Sequence, residues 1–373
     1  MIEFESLFDC SNNVPFSKKM KAKTKEEQLD FKIKYFNRLA RFSAKFLEIT
    51  NGNDLAYLLN TDFHKVQILI NNPIYKEYTI PKKSGGNRII QAPDNDLRNA
   101  QRKLNRLLQI NYLKIKPANV HGFVTKFPSD ENHANIVENA MAHTGKKTVL
   151  NIDLENFFPS ISAKTVKNVF SNAPFNFNDQ ISTALALLFT YKGKLPQGAP
   201  TSPVISNFVC LQLDNDLNAW SIQNEINYSR YADDLTFSSD TFISHEKQLE
   251  IRQIINKFHF VVNEKKWRQR AKNRKQTVTG LTVNSKVNVD RRYIKKVRAM
   301  LHDLSVNGIE IAAINHFGLD EQATTEQKKK FLFRLQGSIG FIGQVRGKSD
   351  ILYQSMQTKL KEYQIVSNKI LKS

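Results

Sequence analysis

The stretch Tyr228-Ser229-Arg230-Tyr231-Ala232-Asp233-Asp234-Leu235-Thr236-Phe237 sets two adjacent acids between two short β-prone runs. Ile226 to Tyr231 and Leu235 to Ser238 read as strands, with Asp233-Asp234 at the turn between them. Two aspartates in a turn are commonplace, because aspartate caps helices and fills turns. Their weight comes from a second strand upstream. Thr148-Val149-Leu150-Asn151-Ile152 is a short apolar run that ends in Asp153, so three acids stand at strand ends.

Around these strands the sequence alternates helical and extended patterns, an α+β class. Residues 1 to about 24 are polar and irregular. Lys25 to Leu47 carries apolar residues at helical spacing (Leu29, Phe31, Ile33, Phe36, Leu39, Phe42, Phe46) among many basic ones, which predicts a basic amphipathic helix. Asn53 to Ile70 reads as a second helix. Tyr78-Thr79-Ile80, the breaker Ser84-Gly85-Gly86-Asn87 and Arg88-Ile89-Ile90 predict a hairpin with a basic tip, and Asp96 to Ile110 a further helix. After Asp153 come helices over Ser162 to Phe170, Val204 to Leu217 and His245 to Phe258, with short strands near Val261-Val262 and over Val278 to Val283. From Arg291 onward the pattern is helical, with a surplus of basic residues.

Composition narrows the class of partner. The chain has 373 residues, room for two or three lobes, and a formal net charge of +20. So large a surplus favours a polyanion, bound through phosphate contacts and counterion release, and nucleic acid leads among polyanions. Cys10 and Cys210 stand alone, which excludes a disulfide framework and a cysteine zinc site and fits a reducing cytoplasm. The opening Met1-Ile2-Glu3-Phe4-Glu5-Ser6 is acidic where a signal peptide is basic. The best apolar run, Ile181 to Tyr191, falls well short of the roughly 20 residues that span a bilayer, so no membrane partner is expected.

The acids suit one kind of chemistry. Transfer of a nucleotide to a 3′-hydroxyl requires neutralising a triphosphate, lowering the pKa of the attacking hydroxyl and stabilising the departing pyrophosphate, tasks shared by two Mg²⁺ ions about 3.5–4 Å apart. Magnesium takes hard oxygen ligands, often one or two carboxylates plus substrate phosphates, so a few acids from separate strands suffice.

Three segments together resemble the palm motifs of reverse transcriptases: Asn151-Ile152-Asp153-Leu154-Glu155-Asn156-Phe157-Phe158-Pro159-Ser160, Leu195-Pro196-Gln197-Gly198-Ala199-Pro200-Thr201-Ser202-Pro203 and Tyr228 to Phe237. Their order and separation agree as well. Asn139-Ala140-Met141-Ala142-His143 and Val278-Thr279-Gly280 resemble signatures of the retron branch, and His121-Gly122-Phe123 fits bacterial enzymes of the retron and group II intron kind. The final helices resemble a polymerase thumb more by position than by distinctive residues, although Leu335-Gln336-Gly337-Ser338-Ile339-Gly340 is suggestive.

The resemblance implies a right-hand polymerase. Residues 1–56 would form a basic helical extension, 57–290 the fingers and palm, and 291–373 a helical thumb. Asp153 and Asp233 are implied as main ligands of both Mg²⁺ ions, Asp234 as the third carboxylate and the Leu154 carbonyl as a further ligand. Phe158 matches the steric gate beneath the incoming sugar, and Gln197 the glutamine against the nucleotide and template base. Arg88, with one or both of Lys82 and Lys83, matches the fingers residues that hold a deoxynucleoside triphosphate, where a guanidinium fork suits phosphate oxygens. Lys266, or its neighbour Lys265, matches the lysine that protonates pyrophosphate.

RNA contacts are expected in two places. Asn139 and His143 are four apart and would share a helical face, able to hold RNA or to pair structurally. Trp267, Arg270, Lys272, Arg274 and Lys275 form a basic run with one aromatic, suited to a phosphate backbone and a stacked base.

The retron branch further implies a cognate noncoding RNA of msr-msd type, copied from a guanosine 2′-hydroxyl into a branched RNA-DNA hybrid (msDNA). It also implies an effector protein, a role in anti-phage defence and template removal by a host RNase H, since fingers, palm and thumb take up the chain from residue 57 onward. The rival expectations are a diversity-generating or abortive-infection enzyme and a catalytically silent RNA-binding scaffold; the intact acids speak against the scaffold.

Overall fold

The computed structural model describes residues 24–82, 85–125, 134–319 and 322–370. Helix α1 (Lys25–Leu47) opens on a capping box in which the Glu27 N–H donates to the Thr24 hydroxyl at 3.2 Å and the Thr24 N–H to the Glu27 carboxylate at 2.7 Å. Its apolar stripe buries Leu39, Phe42 and Phe46 and leaves Leu29 and Ile33 exposed. The single helix expected over Asn53 to Ile70 is two, α2 (Gly52–Leu59) and α3 (Phe63–Asn71). Asn60 ends the first in a left-handed conformation, and the Asp62 side chain caps the second by accepting from Lys65 N–H at 2.7 Å.

Strands β1 (Tyr75–Pro81) and β2 (Asn87–Pro93) pair antiparallel with Tyr75 opposite Pro93 and Pro81 opposite Asn87. Gly85 and Gly86 at the tip both take positive φ, at 86° and 78°. Helix α4 (Asn95–Ile115) follows under an Asp94 cap. Then come α5 (Ile136–Met141), β3 (Thr148–Asp153), α6 (Phe157–Ser160), α7 (Ala163–Ser171) and α8 (Asp179–Phe189). The helix expected from Val204 to Leu217 breaks at Cys210 into α9 (Ser202–Val209) and α10 (Leu211–Gln223). β4 (Asn227–Tyr231), β5 (Asp234–Ser239), α11 (His245–Lys257), β6 (Arg268–Ala271), β7 (Thr277–Val278) and β8 (Leu281–Thr282) precede α12 (Arg291–Phe317), α13 (Thr325–Arg346) and α14 (Ile351–Ile370). The larger sheet has strand order β4-β5-β3-β6; β1-β2 and β7-β8 form two-stranded sheets. Helices and small sheets together match the expected α+β class.

The described residues fall into two compact units whose limits differ from cuts after 56 and 290. One takes in the chain up to Asn135, Leu150–Phe237 and Ile243–Arg268; the other takes Ile136–Val149, Ser238–Phe242 and the chain from Gln269. Burial explains both departures. In the first unit α1 is no separate extension, because Phe46 lies edge-on to Phe177 at 5.3 Å in the core that also holds Leu97 and Leu104. In the second, Val278, Leu281 and Val283 bury in one cluster with Val297, Met300 and Leu304, so that unit starts ahead of Arg291. Its helix α12 is interrupted at Gly308 (φ 76°, ψ 176°), and the Asn307 and Asn315 side-chain amides both donate to the Asp303 carboxylate, at 2.6 and 3.0 Å.

The first unit carries a fully buried ion pair. Arg230 on β4 donates through Nε and Nη2 to the two carboxylate oxygens of Asp214 on α10, both at 2.7 Å. The Tyr228 hydroxyl adds a bond to Asp214 Oδ1 at 2.9 Å. Arg230 Nη1 donates to Asn207 Oδ1 and to the Ala232 carbonyl, both at 3.1 Å. Losing one partner of such a pair strands the other as an unpaired buried charge, which costs about 3–5 kcal/mol. Asp214→Ala is therefore expected to lower unfolding free energy by about that amount in urea titrations, and a loss under ~1 kcal/mol would show that the pair is not holding the unit together.

Candidate active site

Asp153 ends β3 in the first unit and is fastened on both flanks. The Leu154 N–H donates to the Asp233 carbonyl at 3.0 Å, and the Asp153 carbonyl accepts from the Asn263 N–H at 2.8 Å. A further bond from Glu155 N–H to the Val261 carbonyl, at 2.7 Å, extends the second seam. The Asp153 side chain is 8 % exposed, with Lys266 Nζ 2.7 Å from Oδ1 and Asn263 Nδ2 3.2 Å from Oδ2.

Asp233 and Asp234 follow from the hairpin. Ala232 and Asp233 lie between β4 and β5, with Ala232 held at φ 60°, a conformation costly for a residue with a side chain. Two contacts hold it there. Arg230 bonds the Ala232 carbonyl from beneath, and the backbone at Gly122 packs so closely that a Cβ there would lie 2.3 Å from the Ala232 nitrogen. Asn207 Nδ2 in turn donates to the Gly122 carbonyl at 3.0 Å.

Three carboxylates gathered in this way repel one another. Desolvation by the surrounding protein, followed by the charges of Asp233 and Asp153, pushes the Asp234 carboxyl up to about 7. Desolvation and then Asp153 also raise Asp233, while Lys266 and Arg88 act the other way. Desolvation pulls the Lys266 ammonium down, but the pair with Asp153 together with the charges of Asp234 and Asp233 makes the net shift upward. Among the described residues no three His, Cys, Asp or Glu side chains close into a ready metal cage. The donor set still fits Mg²⁺, which binds through a carboxylate or two and completes its shell with phosphates and water. A dication would also offset the mutual repulsion that adds to burial in raising Asp233 and Asp234.

A cavity of about 990 Å³ opens over Asp153 and Asp233. Lys82, Arg88, Phe158, Gln197, Lys265 and Lys266 line it, as does the Leu154 backbone segment. Lys83 lies outside the described residues. The Gln197 carbonyl accepts from Gln91 N–H on β2 at 2.8 Å, which ties the Leu195–Gly198 loop to the hairpin. Gly198, at φ 135°, allows this approach, because a Cβ would stand 2.9 Å from the Gln91 carbonyl oxygen. Phe158 packs between Phe157 and Phe123, with ring centroids 5.4 and 5.9 Å away.

A family model for reverse transcriptase (RNA-dependent DNA polymerase) matches residues 80–283, which include every cavity residue above. The retron Ec86 reverse transcriptase of Escherichia coli is 35% identical over 234 residues, covering 62% of this chain and 70% of that protein. The chain belongs to the retron-type reverse transcriptases. It is therefore an RNA-directed DNA polymerase. The retron Mx65 reverse transcriptase of Myxococcus xanthus is 33% identical over 247 residues, but this chain spans only 55% of its length. A solved telomerase from Candida albicans, in complex with a telomeric RNA fragment, superposes at a TM-score of 0.44 with 9% identity over 79% of this chain and 64% of that one, too slight a likeness to inform the site.

Other residues of the reverse transcriptase stand differently from their expected roles. Asn139 and His143 do not share a helical face, because α5 ends at Met141; both side chains are buried in the second unit, where His143 Nδ1 lies 2.7 Å from Ser238 Oγ. Burial withdraws them from RNA. Trp267 is half-buried, its indole N–H donating to Gln248 Oε1 at 2.8 Å and the Arg252 guanidinium lying 4.6 Å from the ring centre, so one stacking face is already covered. Arg270 donates to the Lys275 carbonyl at 2.8 Å, and the Lys275 ammonium pairs with Asp290. Lys272 and Arg274 are exposed. No described helix is long and apolar enough to cross a membrane.

Spacing had assigned no role to Asn263, Phe123, Arg268 or the Asp214–Arg230 pair. Phe123 and Arg268 line the cavity, yet one lay within a motif used only for family likeness and the other in a run of basic residues.

The raised Asp234 pKa has a signed consequence. Its folded value of about 7 exceeds the ordinary 3.8, so in this range the folded state holds a proton that the unfolded chain has released. The stability it contributes is present below about pH 4 and lost as pH climbs through 7. In EDTA, Asp234→Asn should match the wild type near pH 4 and be more stable near pH 8 by roughly 1 kcal/mol, a figure reduced for the exposed part of the carboxylate. Parallel pH profiles of melting temperature for the two proteins would refute the shift.

Proposed function

We propose that this reverse transcriptase works as a right-hand polymerase, with the β1-β2 hairpin in the fingers, the Asp153 and Asp233-Asp234 strands in the palm and the helices from Arg291 in the thumb. The observation that carries this is the convergence of Asp153, Asp233, Lys82, Arg88, Phe158 and Gln197 on one cavity. Asp153 and Asp233, with help from Asp234 and the Leu154 carbonyl, would hold two Mg²⁺ ions, which when bound would supply charge neutralisation of the triphosphate and activation of the 3′-hydroxyl.

The chain's own groups do the remainder. Arg88 and Lys82 hold phosphate oxygens, the first as a fork and the second as a point charge. Phe158 is backed by Phe157 and Phe123, so its ring resists displacement and clashes with a ribose 2′-hydroxyl, which favours deoxynucleotides. Gln197, anchored through its backbone to β2, lies against the base pair. Lys266 carries the proton destined for pyrophosphate, and the neighbouring carboxylates, Asp153 first, keep it charged against the opposing effect of burial.

The template is a cognate structured noncoding RNA, and synthesis starts from a guanosine 2′-hydroxyl to give a branched RNA-DNA product. Homology to retron enzymes supports this choice, and with it a partner effector and a role in defence against phage. Exposed Lys272 and Arg274 offer phosphate contacts for the RNA.

Primer extension with Mg²⁺ and dNTPs on an RNA template tests the site. Asp233→Asn should lower the rate by about a hundredfold or more, the scale of lost metal-borne charge stabilisation. Phe158→Ala should raise ribonucleotide incorporation relative to deoxynucleotide. Full activity in the first variant would remove Asp233 from the metal site, and unchanged sugar discrimination in the second would remove Phe158 from the gate.

A further inference from the structure

Both oxygens of the buried Asp153 carboxylate are already engaged, and both partners come from one short turn. Asn263 Nδ2 donates to Oδ2 at 3.2 Å and its backbone N–H to the Asp153 carbonyl at 2.8 Å. Lys266 Nζ lies 2.7 Å from Oδ1, and Lys266 N–H closes the turn onto the Asn263 carbonyl at 2.9 Å.

The two partners are unlike. Asn263 grips Asp153 at two points with neutral groups and is half-buried. Lys266 touches it through one ammonium on a long stem, with 49% of its side chain exposed. A divalent ion approaching Asp153 repels the ammonium and competes with it for Oδ1, but does neither to a neutral amide on Oδ2. Asn263 can stay while Lys266 must leave.

We propose that Asn263 is a positioning residue that fixes the Asp153 carboxylate with Oδ1 toward the cavity, and that Lys266 is the resident cation of the metal-free site, exchanged from Oδ1 by an incoming divalent ion. The exchange releases the Lys266 ammonium into the nucleotide cavity at the moment the metal is loaded. It couples metal arrival to the freeing of the group that later meets pyrophosphate. This rests on Asp153 being a metal ligand.

Mn²⁺ binding to the full chain, free of nucleic acid and nucleotide and followed by calorimetry, tests the exchange without recourse to activity. Lys266→Met should bind Mn²⁺ more tightly, by about threefold or more, since a half-exposed ion pair no longer competes; unchanged or weaker binding overturns the exchange. Asn263→Leu, similar in size but without a donor, should bind Mn²⁺ more weakly and lose kcat while KM for template-primer holds, and wild-type binding overturns the positioning role. Where Asn263→Leu does not fold, Asn263→Ser serves, with intermediate affinity expected and wild-type affinity overturning the role. Asp153→Asn separates this inference from the site itself: undiminished Mn²⁺ binding defeats the ligand assignment, whereas lost binding with no gain in Lys266→Met defeats the exchange alone.

Discussion

A guanidinium with no exposed surface, paired through two bonds to an equally buried carboxylate, sets the shape of this site. Arg230 and Asp214 satisfy each other at 2.7 Å, and the spare donors of Arg230 reach Asn207 and the carbonyl of Ala232. The planar fork suits this use, because its fixed directions tie a helix, a strand and a turn at once. Ala232 is held at positive φ by that bond below and by the backbone of Gly122 above, and the two acids that follow inherit their position from it. The ion pair brings little net stability compared with an apolar core, but it fixes one geometry.

Around that frame the site accumulates like charge. Asp153, Asp233 and Asp234 are brought together by strand ends, and the protein offsets them with Lys266 beside Asp153 and Arg88 across the cavity. Such a cluster is poised for cations. Burial, followed by the charges of Asp233 and Asp153, raises the Asp234 carboxyl, a placement that costs the fold some stability at neutral pH. The same short turn supplies both Asn263 and Lys266 to Asp153, so the acid and its cationic neighbour are set by one element.

How the residues were legible depended on the range of the interaction. Asp153, Asp233, Phe158, Gln197, Arg88 and Lys82 reach one cavity, and each lay in a short segment whose residue types and order carry the chemistry. Asn139 and His143 misled, since spacing of four promises a shared face only while the helix continues, and α5 stops at Met141. The helix over Asn53 to Ile70 and that over Val204 to Leu217 looked continuous because apolar spacing survives a single break, whereas left-handed Asn60 and the step at Cys210 do not.

The amino-acid sequence by itself determined the acidic strand ends, the basic hairpin and the α1 stripe, all of which are local patterns of charge and periodicity. Only the tertiary structure decided that α1 belongs to the first core, that Val278 to Val283 belongs to the second unit and that Trp267 is sheltered by Gln248 and Arg252. It alone also joined Asp214 to Arg230 and Asn263 to Asp153, pairs 16 and 110 residues apart. Burial and long-range hydrogen bonding depend on which surfaces meet, and a pattern read along one segment holds no record of the surface that will cover it.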